Sequence, residues 1–208
     1  MSILEKKWIS PFSPAYWHSC INEFSSLRSL CVAALMIALH VVLGFINIPV
    51  GENLRVKFVY LSDTICMLLC GPLLGIPAAI ASDILAFVVN PTGAFFPGYT
   101  LSCVVEFIIC GLILYCRPLT VLRLFLSRML VNLISHVLLG SLWSAILMGK
   151  AYLYYAGISI VKNLVLLPFE VMLLCLLFSL LLPVLTSLRL IPPQRHLFIF
   201  RAKEEREP

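Results

Sequence analysis

The chain has 208 residues, of which 61% are apolar and only 12% charged, with a formal charge of +5 and a mean hydropathy of +1.03. An ordinary soluble domain is about half apolar and about a quarter charged, so this composition cannot coat a soluble globule with polar surface. Soluble, disordered and fibrous classes are excluded. The basic residues gather on no soluble face, which argues against nucleic acid as a partner.

The elements follow in chain order. Residues 1–24 form an arm holding Lys6, Lys7, Trp8, Phe12, Tyr16 and Trp17. Aromatic side chains beside lysines suit a segment lying on the bilayer surface. No small-residue cleavage site follows, so the arm does not read as a signal peptide. A spanning helix needs about 20 apolar residues, and the first such run is Ser29 to Gly51. Val56 to Val89 is apolar but interrupted by Cys70-Gly71-Pro72, Gly75 and Pro77. Proline inside a helix removes a hydrogen bond, so two segments are expected, 56–70 and 73–89, joined by a tight turn. Asn90 to Gly98 is dense in turn formers. Further spans are expected over Tyr99 to Cys116, 122–148 and 157–187, the last kinked at Pro168. The expected fold class is an all-α, polytopic membrane bundle of about six spanning helices. Residues 25–190 form the transmembrane domain, and 191–208 a polar, frayed cytoplasmic tail. No internal repeat is visible.

An even span count puts both termini on one side. That side collects Lys6, Lys7, Arg28, Arg117, Arg123, Arg128, Arg189, Arg195, Arg201, Lys203 and Arg206, while the other receives Arg55, Lys57, Lys150 and Lys162. By the positive-inside rule the termini are cytoplasmic. Most of the eight cysteines lie within apolar runs, where cysteine behaves as a small hydrophobe. Cys66 and Cys70 lack a zinc-ligand pattern, and no metal or other cofactor is assigned.

Ionisable groups at membrane depth are expensive and face a cavity or a partner. The candidates are Asp63, Asp83, Glu106, Arg128, His136, Lys162 and Glu170, each equally readable as a helix-end residue or a satisfied interhelical pair. His40 and His136 are isolated and read as buried or interfacial hydrogen-bonding histidines. An enzyme is disfavoured: the chain has no H-E-x-x-H, no G-x-S-x-G and no nucleotide-binding glycine pattern, so it cannot itself hydrolyse ATP. Broken apolar helices with few polar groups fit a transporter or receptor better than an anchor. The few outward cations, Arg55, Lys57 and Lys162, suit a pocket for an organic anion. Phe58, Tyr60, Phe95, Phe96 and Tyr99 offer flat surfaces to an aromatic ligand, or form the ordinary aromatic belt. Ala34 and Ala38 place two small side chains on one helix face, where another helix can approach closely.

Several segments carry a family resemblance: Leu54-Arg55-Val56-Lys57-Phe58, Cys70-Gly71-Pro72-Leu73-Leu74-Gly75, Ala81-Ser82-Asp83-Ile84-Leu85, and above all Asn90-Pro91-Thr92-Gly93-Ala94-Phe95-Phe96-Pro97-Gly98-Tyr99-Thr100-Leu101-Ser102. With Ile160-Val161-Lys162-Asn163-Leu164 and Leu167-Pro168, they make the chain resemble the substrate-binding S components of energy-coupling factor (ECF) vitamin transporters, most closely the folate-specific branch. The resemblance implies a non-enzymatic capture protein in the bacterial cytoplasmic membrane. It would bind folate near the outer surface and deliver it inward with a transmembrane coupling subunit and two cytoplasmic ATPases. Lys162 and Arg55 are expected on the carboxylates; Phe58, Phe95, Phe96 and Tyr99 on the rings; Asn163 as a polar anchor; Asp83 on the pterin or as a helix cap. Gly93 and Gly98 would let the loop bend. Ala34 and Ala38 would contact the coupling subunit. Glu106 departs from the pattern, which expects a small or apolar residue there. The alternatives are another vitamin or organic anion, riboflavin among them, and, further off, an intramembrane enzyme.

Overall fold

Pro14 opens the first helix, α1 (Pro14–Ser25), at a position where its missing N–H costs no bond. The computed structural model describes residues 11, 13–51, 54–91, 95–149, 151–188, 190, 191, 194 and 197, with backbone alone described over 47–56. Ser26 then leaves helical geometry, and its hydroxyl accepts from the Ser29 N–H to cap α2 (Leu27–Gly44). Helix α2 stops earlier than the apolar run predicts. Residues 47–51 are a strand, β1 (Asn47–Gly51), paired antiparallel with β2 (Leu54–Lys57) in the register Asn47↔Lys57, Ile48↔Val56 and Pro49↔Arg55. The correction has a local cause. Asn47, Pro49 and Gly51 are poor helix formers, the β-branched Ile48 and Val50 favour strand, and a two-stranded ribbon tolerates Pro49 because both strands are edges. The expected segment from residue 56 accordingly begins as strand, and helix resumes only at α3 (Tyr60–Val89).

Helix α3 is two limbs. Gly71 lies at φ +75°, ψ 174°, a conformation essentially reserved for glycine. The chain doubles back there. A Cβ on Gly75 would stand 2.6 Å from the Met67 sulfur, whereas residues eight apart in one continuous helix are about 12 Å apart. Neighbouring helices record the same reversal. The Cys70 Sγ reaches the Ser29 carbonyl and the His40 ring meets Asp63, so the first limb runs antiparallel to α2. Thr100 pairs with Asp83 and the Cys103 Sγ reaches the Ala79 carbonyl, so the second limb runs antiparallel to α4 (Pro97–Leu114). The turn expected at Cys70-Gly71-Pro72 is therefore present.

The remaining passages are a rod made of α5 (Val121–Val131), a π-helical stretch (Asn132–Leu139) and α6 (Gly140–Met148), followed by α7 (Tyr152–Ser187). Among the described residues, five helices are long and apolar enough to cross a membrane; with α3 folded back the chain runs in six helical limbs, the number the sequence predicts, the limb before Gly71 being short. The Arg28 guanidinium donates to the Leu188 carbonyl at 2.5 Å, which brings the start of the first span and the end of the last to one face. This is a multi-pass helical membrane protein carrying one short hairpin.

The first limb of α3 forms the centre of the bundle, and Ser62 through Pro72 are buried without interruption. It rises only about 16 Å from the reversal, roughly half the hydrocarbon thickness, so it ends at Tyr60 inside the bundle. Around the reversal, α1 closes one end of the bundle. Tyr16 donates to the Gly111 carbonyl at 3.1 Å, and Tyr115 donates to Glu23 at 3.0 Å, which also accepts from Ser29. Burial pushes both tyrosine hydroxyls far above the ordinary phenol range, so they remain donors. Trp17, Ile21 and Phe24 point away from the protein, consistent with a helix lying at the bilayer surface. Beyond α7, Gln194 is buried, bonds both backbone groups of Leu119 at 2.9 and 2.7 Å, and accepts from Thr186.

Gly71→Ala places a Cβ about 3.1 Å from the Tyr115 ring and forces an unfavourable backbone costing about 1–3 kcal/mol. Thermal unfolding in detergent should show a Tm lowered by several degrees. An unchanged Tm would mean that the reversal does not depend on this residue.

Candidate functional site

The turn-rich segment before α4 is organised by aromatic contacts. Phe96, the residue before the helix, packs edge-on against Tyr99 at 5.9 Å and Trp143 at 5.6 Å. The indole N–H of Trp143 donates to the Ser102 hydroxyl at 2.9 Å, fixing α6 against the first turns of α4. A Cβ on Gly98 would lie 2.3 Å from the Phe96 ring and 2.7 Å from Trp143. Glycine at this position is a matter of space rather than of backbone freedom. Phe95 turns the other way, edge-on to Phe87 at 5.2 Å, and is exposed, as is Tyr99. Thr92, Gly93 and Ala94 lie outside the described residues.

Asp83 accepts from the Thr100 hydroxyl at 2.6 Å, and this bond ties the second limb of α3 to the start of α4. Phe58 is half-buried just after β2. Arg55 pairs through its backbone with Pro49, and its side chain lies outside the described residues. Lys162 is half-buried on α7. Its neighbour Asn163 is buried and donates back to the Ser159 carbonyl at 2.8 Å. Lys57 is exposed and lies close enough to Lys162, His136 and His40 to act on their charges. The hairpin and α7 thus bring two lysines near each other, with His136 of the π-helical stretch close by, while the aromatic rim follows one helical face further along the same rod, from His136 to Trp143.

Beneath these groups lies an ionic cluster. Arg128 is 2% exposed. Its guanidinium meets Glu170 at 3.0 Å and Glu106 at 3.3 Å, donates to the Asn132 carbonyl oxygen at 3.3 Å, and stacks over the Tyr60 ring at 4.5 Å. Asn132 in turn donates to Glu170 at 2.9 Å. Beside it, the buried His40 ring pairs with Asp63 at 2.6 Å. Arg128 is therefore not an inner-surface topology charge, and Tyr60 belongs to the core rather than to an aromatic rim. Glu106, which the resemblance leaves unexplained, is a partner of that arginine. Unpaired, each of these charges would carry a heavy desolvation cost; together they join α4, α5, the π-helical stretch and α7 around the tip of α3.

Trp143 is the site residue that sequence reasoning misses. Its signal is weak: a lone tryptophan seven residues beyond His136, inside an apolar run. Ala34 and Ala38 are exposed on α2, on the side away from the buried Ala33 and His40, as an interface for another helix requires.

Comparison with known proteins places this geometry in a family. No protein-family model matches the chain. The folate transporter FolT of Clostridium novyi (strain NT) is 30% identical over 136 residues, covering 65% of this chain and 78% of that protein. The chain belongs to the FolT folate transporter family. The FolT of Leuconostoc mesenteroides is 30% identical over 152 residues, covering 69% of this chain and 80% of its own. A crystal structure of FolT bound with folic acid superposes with a TM-score of 0.65 at 21% identity, covering 72% of this chain and 91% of that one; this likeness shows the fold. The FolT-family assignment agrees with the resemblance read from residues 54–116 and 160–168.

Removing one member of a buried ion pair costs about 3–5 kcal/mol, because the others are left uncompensated. Arg128→Met should therefore lower the unfolding temperature sharply. The triple change Arg128→Met with Glu106→Gln and Glu170→Gln should recover most of that loss. If the triple variant is no more stable than the single one, charge pairing is not what holds the cluster.

Proposed function

We propose that this chain is the substrate-binding S component of an ECF-type vitamin importer in the bacterial cytoplasmic membrane. It captures folate at the outer face and passes it inward with a transmembrane coupling subunit and two cytoplasmic ATPases. The observation that carries the reading is the meeting of cationic side chains from the hairpin and α7 beside an aromatic rim, in a chain otherwise nearly free of outward charge. Folate has the complementary chemistry: carboxylates at one end, and a benzoate ring and a pterin beyond.

In this reading Lys162 and Arg55 grip the carboxylates through charge-assisted hydrogen bonds. Phe58, Phe96 and Tyr99 pack against the rings, with Phe95 at the mouth. Gly98 keeps the room in which the Phe96 ring packs edge-on against Trp143. Asp83 offers the pterin N–H groups the oxygen not engaged by Thr100, and Asn163 offers its carbonyl oxygen. The chain performs no catalysis; ATP is hydrolysed by its partners. Ala34 and Ala38 form the surface on which the coupling subunit packs, since small side chains permit close helix approach.

The direct test is to purify the protein and measure bound folate by mass spectrometry, with riboflavin as competitor. One folate per chain supports the reading, and riboflavin binding without folate binding refutes it. Lys162→Met should weaken folate binding by about 1.5–3 kcal/mol, roughly ten- to more than a hundredfold in Kd. An unchanged Kd removes Lys162 from the site. Replacing both Ala34 and Ala38 by leucine should leave folate binding intact while abolishing uptake in cells supplied with the coupling module. Persistent uptake would place the coupling surface elsewhere.

A further inference from the structure

The contacts of Arg128 use only half of the carboxylate oxygens around it. Its guanidinium meets Glu106 Oε1 at 3.3 Å and Glu170 Oε2 at 3.0 Å, and Asn132 donates to that same Glu170 oxygen at 2.9 Å. Glu106 Oε2 and Glu170 Oε1 receive no hydrogen bond from the described residues. Neither oxygen is sealed in. The two side chains keep 14% and 12% of their surface, and Ser141 Oγ is the only fully enclosed polar side-chain atom without a partner among the described residues. The neighbouring His40 is engaged by Asp63. A carboxylate oxygen held among apolar helices without a donor is costly, so this pair marks a place where donors from outside the chain are needed.

The position of the pair ties it to the outward side. On α4, Tyr99, Ser102 and Glu106 follow one stripe at spacings of three and four residues. On α7, Asn163 and Glu170 are seven residues apart, two turns or about 10 Å. On the rod, Asn132 and Arg128 lie below Trp143. Between rim and cluster α4 is fastened to the rod: Trp143 donates to the Ser102 hydroxyl at 2.9 Å, and the Ser135 hydroxyl donates to the Ser102 carbonyl at 3.0 Å. The first limb of α3 ends at this level, with the Tyr60 ring against Arg128, and the chain before it is the hairpin. Three helix walls thus run from the aromatic rim and Lys162 down to the two unpaired oxygens.

A carboxylate oxygen only accepts, and two carboxylates sharing one guanidinium leave the pair short of positive charge. A flat ring edge with neighbouring N–H donors matches it. The pterin of folate has such an edge, where an exocyclic amino group stands beside a ring N–H. The carbonyl oxygens that flank the ring N–H of a flavin would instead set acceptor against acceptor. The reach is suitable too. Lys162 stands eight residues above Glu170 on α7, about 12 Å, so an extended ligand held there by its carboxylates brings its far end toward the pair. We propose that Glu106 and Glu170 are specificity-determining residues whose unpaired oxygens accept from the N–H edge of the ligand's pterin. This rests on the reading that the ligand is folate, and it gives Glu106, which departs from the family pattern, a role besides pairing Arg128.

The test measures the affinity of the full chain, in detergent or nanodiscs, for two probes: folic acid and its 2-desamino analogue, in which hydrogen replaces the amino group. Wild type should bind folic acid about tenfold or more tightly than the analogue. In Glu106→Gln, Arg128 keeps an oxygen to donate to and the amide nitrogen turns toward the ligand, donor against donor. The ratio of the two affinities should then shrink to about twofold or less; a collapse in Glu170→Gln supports the assignment equally. Taking the ratio within each protein removes any general loss of stability. Glutamate side-chain 13C signals give a readout needing no variant: two carboxyl signals should move on adding folic acid and stay with the 4-aminobenzoylglutamate fragment, which lacks the pterin. Equal affinity of wild type for the two probes, a ratio unchanged in both glutamate variants, or carboxyl signals unmoved by bound folic acid overturns the proposal alone. Absence of folic acid binding to wild type overturns the folate reading and this inference with it.

Discussion

An arginine buried between apolar helices among two glutamates and an asparagine is the constraint on which the rest of the structure depends. Arg128 cannot reach water from its position in the bundle, and an isolated guanidinium there would be ruinous. Glu106, Glu170, Asn132 and the face of Tyr60 each come from a different element. Satisfying one cation therefore sets the mutual height and rotation of α4, the π-helical stretch, α7 and the tip of α3. Apolar packing between helices in lipid is weakly directional, because the tails are as apolar as leucine. A shared charge supplies the specificity that leucine contacts lack.

The reversal at Gly71 is what makes room for function above that cluster. A continuous helix over residues 60–89 would pass through the bilayer once and leave no short limb. Folding back on a glycine-only conformation gives a limb that ends inside the bundle. The outer half of the bundle is then left to the hairpin, the loop before α4 and the open ends of the rod and α7. These are the elements that carry Lys57, Phe96, Trp143, His136 and Lys162. The opposite end is closed by α1 with two buried tyrosine hydroxyls, so the two ends of the bundle differ in kind: one is latched and the other lined with chemistry.

Much of this was legible in the residues. Uninterrupted apolar runs gave the spans, Cys70-Gly71-Pro72 gave the reversal, and the Asn90–Gly98 loop carried the family. The hairpin was not legible, because Ile48 and Val50 satisfy a hydropathy window as well in a strand as in a helix. Nor was the pairing of Arg128. Counted by sequence position it falls among inner-side cations, and only the side-by-side placement of α4, α5 and α7 reveals two carboxylates beside it. Trp143 shares this fate, since its partners Phe96 and Ser102 lie some 40 residues away in a loop and a helix whose facing sides no spacing rule predicts.

The central claim is that an anionic, aromatic vitamin lies between the outward cations and the loop rim, above the Arg128 cluster. An experimental structure of this chain with folic acid tests it most directly. The account predicts the glutamate carboxylates within hydrogen-bonding distance of Lys162 and the hairpin, and the rings beside Phe96 and Tyr99. Folate resolved on the inner side of the Gly71 reversal, or in the outer half away from Lys162 and Phe96, would contradict it.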